Sequence, residues 1–387
     1  MTRPLRIFLC CQQDLQPHPV PPYRFWAGYF RSALAEAGHA CIEAPGCDWA
    51  AGLVPQSGES LDAWRESTWQ RALDFVRREH AARPIDLFLA YLYPEQVEPA
   101  ALAEIRAAGV PSVNFFCDNV RLFRRVPPAY RAFDLHWVPE AGARPMYRRA
   151  GLEFIAAPMP CWVPPAFRVA ATGETLPPTF VGSGDEVRQR LLADAFARGL
   201  QLELRGRGWA EREPDPPRGE GMNLWRNQWD FAARHGPAAL ARKIWHRFRP
   251  PEPVTFDFLP HVRPSPEGED YWRVLRESRV CVGINRYPSP RHPPGRPRCY
   301  SRLRDIEAPM AGACYLTEWA PGLDELYEPG REIEVYRDPA ELAAQVAALS
   351  RDEPRRRRLR SAGQARALGE HTIARSVEKI ARHLGIR

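Results

Sequence analysis

A chain of 387 residues, 44% of them hydrophobic and 26% charged, is too long for one ordinary core and predicts two domains of roughly 150 to 200 residues each. No stretch reaches the roughly 20 apolar residues of a membrane helix, the start reads as a short strand without a signal-peptide cleavage pattern, and nine cysteines with no Cys-x-x-Cys pair exclude a disulfide framework or a structural zinc site. The formal charge of +7 is confined to residues 351–387, which hold eleven basic side chains against four acidic ones, so a nucleic-acid-binding face spread over the molecule is excluded.

In chain order, LRIFLCC (5–11) reads as a buried strand, 24–37 as an amphipathic helix stopped by Gly38, and 62–80 as a second helix. IDLFLAYLY (85–93), VPSVNFF (110–116) and FDLHWVP (133–139) read as further strands, with a helix over 99–108 ended by Gly109. Short apolar strands separated by helices, without period-two alternation, predict a parallel sheet covered on both faces. A Pro-rich passage over 158–178 marks a domain boundary, after which the pattern restarts: TFVGSG as strand and turn, a helix over 185–199, and the strand LQLELRG. Residues 211–270, with proline clusters around a Trp-rich helical stretch (224–248), read as an insertion. The rhythm resumes at 271–285, breaks at the loop 287–298, and continues as helix 301–311, strand ACYLTE, helix 322–328, a short strand at 332–336, and helices over 338–349 and 353–383. The fold class is therefore α/β, with Rossmann-like domains over 1–165 and 166–365 and a C-terminal helix, 366–387, that could cross back to the first. Cys10, Cys11, Cys117, Cys281 and Cys314, in strand-like surroundings, read as small buried hydrophobes. The basic tail is either a solvated helix face or a contact for an anionic membrane or lipid-linked substrate, which would place a cytoplasmic protein peripherally at the inner membrane face.

Ligands of open parallel sheets bind beyond the carboxyl ends of strands, which selects four places. At Gly182-Ser183-Gly184 two glycines would let a diphosphate approach the backbone, Ser183 could donate to it and Arg188 could offset its charge; a tight turn with nothing bound explains the motif equally well. Arg205-Gly206-Arg207-Gly208-Trp209 offers Arg207 and the Trp209 face to a phosphate or a ring, or is a surface turn packed on Trp209. The segment 301–318 supplies Arg302, Arg304, Glu307, Thr317 and Glu318. In the first half Asp118, with Asn119, ends a strand and could orient or deprotonate a hydroxyl, or cap the next helix; Gln12, Gln13 and Asp14 end the first strand.

The segment RDIEAPMAGACYLTEWAPGLDELYEPGREIEVYRDPAEL, followed by GEHTIARS, resembles the C-terminal half of the CgeB-like, spore-maturation-type glycosyltransferases, relatives of the retaining group with two Rossmann domains called GT-B. The strands IDLFLAYLYP, GVPSVNFFCDN and FDLHWVP, then FVGSG and RGRGW, fall in the order of that family, so the resemblance covers nearly all of the chain except 211–270. It implies two domains facing each other across a cleft and a glycosyltransferase that moves a hexose from a UDP- or GDP-sugar to a polysaccharide, glycolipid or protein. Donor contacts would come from Gly182, Ser183, Gly184, Arg188, Arg207, Trp209, Arg302, Arg304, Glu307, Thr317 and Glu318, with Glu307 on the ribose hydroxyls; acceptor contacts from Gln13, Asp118 and Asn119; catalysis from Asp118 and Arg302. Cys299 stands where many relatives carry a second Glu, and no Asp-x-Asp pair occurs, so arginines would replace a metal ion. A non-catalytic binding protein of the same fold and a nucleotide-sugar epimerase are the alternatives.

Overall fold

A computed structural model of the chain describes residues 3–19, 24–169, 173–209, 231–232, 235–249 and 252–386. Much of the expected insertion, at 210–230, 233–234 and 250–251, lies outside the described residues. The chain divides into two compact units, one of Met1–Trp162 with His371–Arg387 and one of Val163–Glu370.

In the N-terminal unit, strands β1 (Arg6–Cys10), β2 (Ala40–Ile42), β3 (Leu87–Ala90), β4 (Ser112–Phe115), β5 (Leu135–Trp137) and β6 (Phe154–Ile155) form one sheet in the order β2-β1-β3-β4-β5-β6. Every neighbouring pair is parallel. All residues of β1 and β3 are buried, as apolar runs covered on both faces require. The covering helices are α1 (Arg24–Glu36), α2 (Gly58–Ala82), α3 (Pro99–Ala107), α4 (Asn119–Leu122) and α5 (Arg144–Ala150). From α1, Trp26 and Phe30 pack edge-on or tilted against Phe115 and Trp137 of the sheet.

The C-terminal unit repeats the plan. Strands β7 (Thr179–Val181), β8 (Glu203–Arg205), β9 (Val262–Arg263), β10 (Cys281–Gly283), β13 (Tyr315–Glu318) and β14 (Glu334–Tyr336) pair in parallel in the order β14-β13-β10-β7-β8-β9. Helices α6 (Glu186–Ala197), α7 (Pro237–Phe248), α8 (Glu269–Glu277), α9 (Arg304–Met310), α10 (Leu323–Leu326), α11 (Pro339–Arg351) and α12 (Glu353–Glu370) belong to it. The expected loop 287–298 is closed at its base by an antiparallel ladder, β11 (Arg286–Tyr287) with β12 (Arg298–Cys299). The single helix expected over 353–383 is two: Thr372 interrupts it, its hydroxyl accepting from the Arg375 N–H at 3.3 Å and starting α13 (Ile373–Leu384). α13 lies in the N-terminal unit, where it packs on α1.

The reading of the basic tail as a solvated face needs correction, because several of its arginines are internal. Arg356 and Arg360 are buried; Arg356 Nη2 lies 2.6 Å from Glu174 Oε2, and Arg360 donates to the carbonyls of Ser278 and Gly312. Arg355 pairs with Glu334 at 2.5 Å. The five cysteines expected to be buried are so.

Candidate functional site

The two glycine-bearing turns at the ends of β7 and β8 lie against each other. Gly182 and Gly184 donate their N–H groups to the carbonyls of Arg205 and Arg207, each at 2.8 Å, which continues the strand pairing past the strands. A Cβ on Gly206, whose φ is +148°, would sit 2.3 Å from Gly182 O, and one on Gly184 would sit 2.5 Å from Gly208 O. These glycines thus serve the close crossing of two loops, which corrects the expectation that they admit a diphosphate: the amides of Gly182 and Gly184 are spent. Gly206→Ala is expected to cost about 2 kcal/mol or more of stability through overpacking on backbone, measurable by chemical denaturation, without a specific effect on ligand affinity. Trp209 is likewise no exposed platform. Its ring is buried edge-on to Phe180 at 5.8 Å, and its Nε1 donates to Gly182 O at 2.9 Å. Arg207 is exposed.

Asp185 caps α6, accepting from the Arg188 N–H at 3.1 Å. Arg188 itself is buried, its Nη1 donating to Ser183 O at 2.9 Å and Ser183 Oγ at 3.1 Å. Its Nε has no hydrogen-bond partner among the described residues and lies 3.4 Å from Asp185 Oδ2. Burial pushes the guanidinium down to about 10; the nearby Arg302 and Arg304 add to the fall, and Asp185 and Tyr300 oppose it. Arg188, Arg302 and Arg304 thus lie near one another at the carboxyl end of β7 and the start of α9; burial disfavours the charge on Arg188, whereas Arg304, though buried, is held above its usual value by Tyr271 and Glu307.

The surroundings of α9 hold these groups in place. The Arg304 guanidinium lies 4.7 Å above the Tyr271 ring and its Nε 3.5 Å from Glu307 Oε2, and buried Nε and Nη1 of Arg304 lack hydrogen-bond partners among the described residues. Glu307, also buried, accepts a short hydrogen bond from the Tyr271 hydroxyl. Arg302 lies 5.3 Å over the Tyr300 ring. Beneath them Asp305, fully buried, accepts from Tyr315 Oη and Thr317 Oγ1 at 2.8 Å, from Asn285 Nδ2 at 3.0 Å and from the Arg302 N–H at 3.1 Å. Burial holds the Asp305 carboxyl above the usual carboxylate range, although these donors oppose the rise. Glu318 accepts from the N–H groups of Asn285 and Arg286 at 3.1 and 2.9 Å and from Arg286 Nε at 2.9 Å. Thr317 and Glu318, read as ligand contacts, are thus internal scaffold: both are buried and committed to protein partners. Asp305, Asn285, Arg286 and Tyr271 escaped the sequence reading. The two carboxylates of Arg-Asp-Ile-Glu, two positions apart, were a signal for Asp305; nothing in the sequence ties Tyr271 to Glu307, 36 residues away.

Cys299, on β12, is half-buried, and burial followed by the nearby Glu318 pushes its thiol up. As a thiol it supplies no carboxylate at this position.

In the N-terminal unit, Asp118 lies three residues past β4, directly before α4, and makes no capping hydrogen bond through its side chain, which lies 3.9 Å from Arg121. Asn119 is buried, and its side chain donates to Phe116 O at 2.8 Å and accepts from Tyr147 Oη at 2.9 Å. Gln13 turns back on its own strand end, accepting from the Cys11 N–H at 2.8 Å and donating to Leu9 O at 3.3 Å. Its neighbour Gln12 is the unusual one, fully buried with φ +51° and no hydrogen-bond partner for either side-chain atom among the described residues. Among the described residues no group of His, Cys, Asp and Glu is arranged to hold a metal ion.

Residues 188–382 match the family model described as glycosyl transferase-like. No curated protein matches the chain significantly. Among solved structures, the chain is similar to the sucrose-phosphate synthase of Thermosynechococcus elongatus, at 15% identity over 99% of each chain and a TM-score of 0.57. It is also similar to Anabaena HepE, solved in complex with UDP, at 14% identity over 98% of this chain and 100% of that one, with a TM-score of 0.52. A third is AviGT4, a glycosyltransferase involved in avilamycin A biosynthesis, at 16% identity, 98% of each chain and a TM-score of 0.53. At such identities the likeness speaks for the fold alone, and that fold is GT-B.

Proposed function

We propose, from the premise that this chain belongs to the glycosyl transferase-like family, that it moves a hexose from a UDP- or GDP-sugar to a polysaccharide, glycolipid or protein acceptor, and that its relatives within the family are the CgeB-like transferases. The observation that carries this reading is the convergence of Arg188, Arg302 and Arg304, with Arg188 already pushed down by burial and by the other two cations. A diphosphate supplies negative charge beside the disfavoured Arg188 cation, and planar guanidinium groups fit its oxygens. On this reading Arg302 stabilises the departing nucleoside diphosphate, and Arg188 and Arg304 perform the neutralisation that a divalent cation performs elsewhere, without a metal. Glu307, fixed by Tyr271, is offered to the ribose hydroxyls. Asp118, not used as a helix cap, is the residue assigned to deprotonate the acceptor.

The test is a thermal-shift screen against UDP, GDP, ADP, TDP and CMP. A rise of several degrees with one nucleoside diphosphate is expected, since a ligand of the native state stabilises it; no shift with any of the five would sink the reading. A second reading, a nucleotide-sugar-binding protein without turnover, draws on Cys299 in place of a carboxylate. It predicts the same shift but no transferred sugar, and no change of product on Asp118→Ala.

A further inference from the structure

Helix α7 carries a feature that the transferase reading leaves unused. Ile244, Trp245 and Phe248 are 51%, 58% and 77% exposed. On a helical projection these three, with exposed Ala241, fall within about 100° of the circumference, while Ala239, buried at 3%, points roughly the opposite way. The helix therefore rests on the protein by its small residues and presents its largest apolar ones outward, the reverse of a surface helix built only to cover a core. Arg242 and Arg249 both border one edge of the stripe; Arg242 also donates to Pro290 O at 3.1 Å, and Arg249 lies 5.1 Å over the Trp245 ring. Between residues 231 and 251 the sequence holds Arg234, Arg242, Lys243, Arg247 and Arg249 and no acidic residue.

We propose that α7 is a docking surface for an anionic lipid bilayer, lying in the headgroup plane with Ile244, Trp245 and Phe248 inserted. Charge complementarity selects this occupant: an apolar stripe bordered by arginines, in a stretch without carboxylates, satisfies both the acyl boundary and anionic headgroups. At 12 residues the helix is far too short to cross the membrane, so it lies on the surface. The basic tail is the poorer candidate for this contact, since Arg355, Arg356 and Arg360 are committed to internal partners. The proposal is independent of the donor site.

The test is co-sedimentation of the full chain with vesicles of phosphatidylcholine alone and with about 30% phosphatidylglycerol, at low and high salt. Binding is expected on the anionic vesicles and is expected to weaken with salt. Trp245→Ala with Phe248→Ala should lower the bound fraction about tenfold or more. The same variant should keep the native melting temperature and nucleotide-induced shift, because both side chains are exposed. Arg242→Gln with Arg249→Gln should remove the preference for anionic over neutral vesicles. Absence of binding to anionic vesicles at low salt, or binding undiminished in the aromatic variant, overturns the proposal. So does self-association that the aromatic variant abolishes while no vesicle binds, which would assign the stripe to a second copy of the chain.

Discussion

Arg188→Met is expected to weaken nucleoside-diphosphate binding by about 100-fold or more, while the unliganded protein stays as stable as the native one or becomes more so. The two halves of this expectation share one cause. With its pKa lowered from 12.5 to about 10, the charged guanidinium is disfavoured by the fold, at a standing cost of roughly 3 kcal/mol at neutral pH. For a cation lowered in this way, the cost is fully present below pH 10 and is relieved only as pH rises beyond that value. Methionine keeps length and apolar contact and removes the charge, so the lost hydrogen bonds to Ser183 are offset by the relieved burden. A bound diphosphate relieves the same burden in the native protein, which is why its loss is felt in affinity. Calorimetric titration and denaturation of the two proteins check both halves. Unchanged affinity, or an unliganded variant several kcal/mol less stable, would show that Arg188 is scaffold only.

Asp305→Ala should act in the opposite way, costing about 4 kcal/mol of stability by orphaning buried donors from Tyr315, Thr317, Asn285 and Arg302. Its folded pKa is raised, so ionisation does not strengthen the fold. Any stability tied to its titration is present below the ordinary carboxylate range and is lost as pH rises through the raised value. The hydrogen bonds, and not the charge, are what the residue contributes. Asp305→Asn should therefore be milder, about 2 kcal/mol, since an amide oxygen still accepts from Tyr315 and Thr317 while its NH₂ faces the donors of Asn285 and Arg302. Urea denaturation of both variants checks the order; equal losses would return the role to charge.

What the sequence made legible follows from these distances. Parallel strands buried on both faces are apolar runs, and β1, β3, β4 and β5 fall inside the stretches read as strands. The two-residue strands β6, β9, β11 and β12 carry too few side chains for a pattern to register, and β2, whose three residues are only half-buried, has no fully buried run. At the site, residue type identified cations well and scaffold poorly. Arg188, Arg302 and Arg304 stand out in the sequence by charge and lie near one another in the fold, whereas Thr317, Glu318, Trp209 and Asn119 have ligand-like chemistry whose partners turned out to be protein. Gln12 and Gln13 show the limit most simply: adjacent and identical in type, they differ in which amide finds a partner, and backbone geometry decides that.

The placement of α13 also bears on how the chain is made. Ile373, Val377, Ile380 and Ala381 are buried and belong to the unit that begins at the other end of the sequence. During synthesis the segment 163–370 is continuous and can close on itself as soon as it leaves the ribosome. The first unit, though translated earlier, must wait with the seat of α13 open on α1 until the final turns emerge. A chain truncated after residue 370 would therefore hold the whole sequence of the C-terminal unit and lack the last helix of the N-terminal one.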